Sequence, residues 1–186
     1  MKSHVLLLGF VLGMAGPVVA GPAAHNDVSM SATVQKVCQL GAPTVVNSQN
    51  AAFDPSSQGG TITFNTLADG NTAQALPSTI SVTFQSVCNQ ALDLHLISTQ
   101  GGLTLEHAAP GGGVFQEHVD YTATLNWGSN SATLATDGTA KSSAGVSLTG
   151  AQSGAVTLTI TIPAGSQPLV SGNYADFLTV EFDSGL

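Results

Sequence analysis

Glu106-His107 and Glu117-His118, with Asp120 close behind, place carboxylates and imidazoles on both sides of the run Pro110, Gly111, Gly112, Gly113. Carboxylate oxygen and neutral imidazole both bind zinc, so metal-assisted hydrolysis would be sought here first. The spacing does not build such a centre. Neither pair has the i, i+4 interval of a helical metalloprotease motif, and a glycine-rich loop between the pairs fixes no geometry. Solvated loop residues explain them better, and no metal or other cofactor is expected. Ser153, between Gly150 and Gly154, lacks the second spacing glycine and the strand-to-helix setting of a serine nucleophile turn. Lys141-Ser142 has no preceding phosphate-loop glycines. A glycosidase would need two inward carboxylates facing across a cleft, which the pattern around Glu106 and Glu117 does not supply. Catalysis is therefore not expected. His95 alternates to the outer side of its strand, and His25 belongs to an N-terminal tail.

Cys38 and Cys88 are the remaining reactive pair. Two distant cysteines are too few for a metal site. In an exported protein they suit one disulfide, with two buried thiols as the alternative. Export is expected from Met1 to Ala20: Lys2 opens it, Val5 to Val11 is apolar apart from Gly9, and Val18-Val19-Ala20 suits cleavage before Gly21. No later stretch has the roughly eighteen apolar residues of a membrane helix, so no membrane anchor is expected. Loss of Lys2 would take the formal charge from −8 to −9, leaving Lys36 and Lys141 as the only cations and no arginine. That balance excludes phosphate-neutralising nucleic-acid binding and disfavours anionic membranes.

The elements that must position any site are strands. Ile80, Val82, Phe84 and Cys88 share one parity, as do Leu92, Leu94 and Leu96, then Tyr121, Ala123, Leu125 and Trp127. Val156, Leu158, Ile160 and Ile162 alternate with Thr157, Thr159 and Thr161 and stop at Pro163. Ile62 with Phe64, and Leu103 with Leu105, suggest short strands inside the long connections. Leu178, Val180 and Phe182 alternate near the C-terminus. Period-two runs between Gly, Pro, Asn, Asp and Ser clusters predict an all-β sandwich or barrel, and the chain length suits one domain. Near the expected mature N-terminus, Val28, Met30, Ala32 and Val34 alternate in the same way towards Cys38, predicting a strand with one buried face.

Together, the N-terminal alternation ending at Cys38, the run Ser78 to Phe84 leading to Cys88, and the closing stretch Gly172 to Phe182 resemble the spore coat protein U domain. That family includes the pilin subunits of archaic chaperone-usher pili. Its closing motif, Gly-x-Tyr-x-Asp before an alternating strand, is matched by Gly172, Tyr174 and Asp176. Phe177 stands where the family more often has a small hydroxyl residue, and Glu181 interrupts the outward threonine pattern. The resemblance implies an immunoglobulin-like β-sandwich lacking its last strand, held by a periplasmic chaperone, passed to an outer-membrane usher and completed by the N-terminal extension of a neighbouring pilin subunit. It implies a surface fibre of the kind used in adhesion and biofilm. In strand addition, main-chain bonds give affinity and alternate side chains fill pockets.

On this reading residues 1–20 are the signal peptide, 21–33 the extension and 34–186 the sandwich. Val28, Met30, Ala32 and Val34 are the donor residues, and Leu178, Val180 and Phe182 edge the acceptor groove. Burying such a donor set would contribute roughly 5 to 10 kcal/mol before ordering costs. Other readings stand beside it. The same stretch could be the first strand of a self-contained secreted module that binds carbohydrate or protein, although few aromatic residues are available for a sugar platform. A secreted metal-dependent hydrolase is the most distant reading.

Overall fold

A computed structural model of the chain describes residues 28–56, 59–107 and 113–184. The expected signal peptide and the extension up to residue 27 lie outside the described residues, as do residues 110–112 of the glycine run. The chain divides into two units, residues 1–34 and 35–186. In the first, the described residues 28–34 form no strand. The expected strand with a buried face is absent: Val28, Met30 and Val34 are 83%, 93% and 83% exposed. A period-two pattern has a buried face only where a sheet edge pairs with the backbone and a second layer covers the side chains. Among the described residues no strand pairs with this stretch.

The second unit is an all-β sandwich; among the described residues there is no helix. Its strands in chain order are β1 (Cys38–Leu40), β2 (Thr44–Gln49), β3 (Ala51–Ser56), β4 (Gly59–Phe64), β5 (Ser78–Cys88), β6 (Leu92–Ser98) and β7 (Leu103–Leu105). There follow β8 (His118–Val119), β9 (Thr122–Trp127), β10 (Asn130–Ala135), β11 (Ser142–Leu148), β12 (Gln152–Ile162), β13 (Tyr174–Ala175) and β14 (Leu178–Asp183). The larger sheet runs β1-β5-β12-β9-β10, with β2 also paired to β5, and every pairing is antiparallel. The second sheet is β11-β6-β14. Smaller sheets β13-β7-β8 and β3-β4 complete the unit.

Alternation decides the core. Ile80 and Val82, Val156 and Ile162, and Ala123, Leu125 and Trp127 point inward from the larger sheet and are at most 2% exposed. Leu94 and Leu96 meet them from the second sheet at 0%. Branched and aromatic side chains fit this pleated, half-covered surface, which is why these stretches become strands. β10 packs against β11 and β6, closing one long side of the sandwich.

The outward positions of the larger sheet are neutral. The register sets Thr83 beside Thr157 and Asn126, Ser81 beside Thr159 and Thr124, and Thr79 beside Thr161 and Thr122. β2 adds Thr44, Asn47 and Gln49 on one flank, and β10 adds Ser131 and Thr133 on the other. The second sheet carries Asp93 and His95 on β6, and Glu181 and Asp183 on β14, at its own outward positions.

Candidate functional site

The candidate site is a groove of about 440 Å³ on the long side opposite β10 and β11. Its floor is Val82 and Phe84 of β5 with Leu158 and Ile160 of β12. Leu178 and Val180 of β14 form one wall. Leu40 and Pro43 flank it from the β1–β2 segment, and Phe53, Ile62 and Phe64 reach it from the β3–β4 hairpin. Most lining side chains are apolar, with Thr61, Tyr121, Asp176 and Thr179 adding polar groups. The hairpin folds tightly here, since a Cβ on Gly60 would strike the Phe53 ring.

β14 pairs with β6 on one side and has no strand on the other, among the described residues. Among the described residues, no strand pairs with the Leu178–Val180 part of that edge, which runs beside the trough. Such an edge is a template for another strand. Leu178, Val180 and Phe182 are each only partly buried. Leu178 and Val180 line the groove, whereas Phe182 lies beyond it and stacks on Trp127, with ring centroids 5.2 Å apart and planes 13° apart. The stacked pair marks where the groove ends. Phe177, at the start of this wall, is 74% exposed.

Asp176 fixes the other end of β14. Its Oδ2 accepts from the Tyr121 hydroxyl at 2.6 Å and from the Ser98 hydroxyl at 2.5 Å. Its Oδ1 accepts the backbone N–H groups of Gln100 at 2.8 Å and Phe177 at 2.7 Å. One carboxylate thus ties the beginning of β14 to the end of β6 and, through Tyr121, to the head of β9 in the opposite sheet. Charge-assisted bonds of this kind are roughly twice as strong as neutral ones. Burial, followed by the bond to Asp176, pushes the Tyr121 phenol well above its ordinary value, so it stays protonated and donates. The rest of the closing motif has equally local reasons. A Cβ on Gly172 would run into the buried Leu105 side chain. The Tyr174 hydroxyl donates to the Val170 carbonyl at 2.7 Å, with the Gln116 carbonyl 3.1 Å away sharing the same proton.

Cys38 and Cys88 face each other in the β1–β5 ladder and form a disulfide. Asn89, which the sequence reading passed over, anchors the chain just before it. Its side chain accepts the Val37 N–H at 2.8 Å and donates to the Gln35 carbonyl at 2.7 Å. The residues that enter the sandwich are thus held by a covalent bond and an amide clamp.

The β7–β8 ladder sets the two acid–histidine segments side by side, with Thr104 opposite His118 and the Leu105 N–H donating to the Glu117 carbonyl, yet their side chains take other partners. His118 lies in β8 and bonds Asp120 at 2.7 Å, while Glu106 follows β7 and donates its backbone N–H to Asn173. Among the described residues no group of three or more His, Cys, Asp or Glu side chains is placed to hold a metal ion. Ser153 lies in β12, paired with Val87, instead of at a sharp turn. Sequence reasoning missed Phe53 as a groove residue, and Tyr121 as the partner of Asp176. The available signals were the inward parity of Tyr121 and the position of Asp176 just before the last alternating strand.

Comparison of the chain with protein-family models, with curated proteins and with solved structures finds no match.

Proposed function

We propose that this chain is a structural subunit of an exported surface fibre, an immunoglobulin-like sandwich without its last strand that assembles by strand donation. One observation carries the reading: among the described residues β14 has a partner strand on one edge only, and its Leu178 and Val180 border an open groove lined mostly by apolar side chains. Val28, Met30, Ala32 and Val34 supply the complementary half, an alternating apolar stretch that is exposed and, among the described residues, forms no strand. In the fibre, this stretch of one subunit lies along β14 of the next, its apolar side chains directed at the groove and its backbone pairing with the open edge. A periplasmic chaperone covers the groove beforehand, and an outer-membrane usher receives the subunit.

The test is removal of residues 21–33 from the exported chain. The truncated protein should still fold and bind its chaperone but form no fibres. Normal fibres from the truncated protein would refute strand donation. A full-length protein that purifies as a lasting monomer without a chaperone would instead favour the self-contained binding module.

A further inference from the structure

None of the six strands of the larger sheet contains an Asp, Glu, Lys, Arg or His residue, although the chain as a whole has a formal charge of −8. The acids of the described part lie elsewhere, including the outward positions of the second sheet. Two copies approaching through most surfaces would bring like charges together. Through the larger sheet they would not.

Several hydroxyls at the centre of that face are also already partnered. Ser81 and Thr159 share a hydrogen bond of 2.9 Å, Thr83 donates to the Val156 carbonyl at 3.0 Å, and Thr124 and Thr133 are 3.3 Å apart. Covering a hydroxyl whose bond stays within its own sheet avoids the cost of an unsatisfied polar group. The threonine methyls then provide apolar contact. Strand spacing and rise give this five-strand face about 24 by 20 Å, or about 500 Å² per copy. A pair would bury about 1,000 Å², the lower edge of a specific interface.

We infer that the uncharged hydroxyl face of the larger sheet docks against the same face of a second copy of this chain. The arrangement is self-complementary, as in a two-fold dimer. A single pair is weak. A fibre repeats the face on every subunit, so lateral contacts add along its length and fibres bundle. The bundling arm rests on the strand-donation reading; the pairing of two subunits does not.

The test uses the exported full chain with Thr124→Glu and Thr159→Glu together, against a charge-matched control, Ser143→Glu with Ser147→Glu, on β11 of the other sheet. Electron microscopy should find bundled fibres for the original and the control, and single fibres for T124E/T159E. Raising salt should thicken the original bundles by screening the acidic surfaces. Sedimentation of unpolymerised subunits covers the case in which no fibres form: pairing should weaken at least about tenfold in T124E/T159E and hold in the control. Circular dichroism and melting confirm that each variant is folded. Bundling or pairing unchanged by T124E/T159E, equal loss in the control, or an original chain that is unbundled and monomeric up to about 1 mM would each overturn the inference.

Discussion

β12 and β14 carry the same pattern and have different fates. Both alternate apolar and polar residues, yet β12 is paired with β5 on one side and β9 on the other, and its Val156 and Ile162 are fully buried. Among the described residues β14 is paired with β6 alone, and Leu178, Val180 and Phe182 stay partly open. The difference comes from neighbours, not from side-chain chemistry. At the β10–β11 side the two sheets close on each other; at the β14 side a trough remains. Among the described residues, β14 has no strand on its second edge.

The largest stability effect should come from unstapling the finished sheet. Replacing Cys38 and Cys88 by Ser opens a loop of 50 residues in sequence and should cost about 4 kcal/mol, lowering the melting temperature by roughly 8–16 °C. An unchanged Tm would mean that the sheet's pairing alone holds β1. Next is Ile162→Ala at the covered end of β12, with an expected loss of about 3 kcal/mol in denaturant unfolding. A loss below about 1 kcal/mol would show that β12 is less well packed than its burial implies.

Tyr121→Phe removes the inter-sheet strut and should cost about 1–2 kcal/mol at neutral pH, because the Asp176 carboxylate loses a donor. It should also change the alkaline limb. The folded-state pKa of Tyr121 is raised, so the unfolded chain releases this proton first, near pH 10. The associated stability is complete below that pH and is lost as pH rises through and beyond it. Melting between about pH 9 and 12 should therefore fall less steeply in Tyr121→Phe. Parallel curves would remove Tyr121 as the cause. The smallest effect belongs to the open strand: Val180→Ala should cost about 1 kcal/mol or less in the isolated subunit, but about 2 kcal/mol once the edge is covered in a fibre. Equal losses in the two states would erase the distinction between β12 and β14.

The well-covered strands were legible in the sequence because one face of each is buried, which forces a period of two. Ile80 to Cys88, Leu92 to Leu96, Tyr121 to Trp127 and Val156 to Ile162 all lie as their parity predicts. β2 was not legible: all six of its residues are exposed, so burial imposes no alternation. β10 and β11 consist mostly of small or polar residues, and their pairing is fixed by the ladders they join. At residues 28–34 the pattern is present and the strand is not, because a pattern cannot supply its own partner. The Tyr121–Asp176 bond joins residues 55 apart in sequence, a contact that only the stacking of the two sheets creates.

The central claim is that β14 gains a neighbour from another copy. Hydrogen exchange of the backbone amides of Leu178–Asp183, measured in isolated subunits and in assembled material, tests it most directly. In subunits, the amides bonded to β6 should be slow and those on the open edge fast; in the assembly both sets should be slow. Open-edge amides that exchange equally fast in both states would contradict the claim.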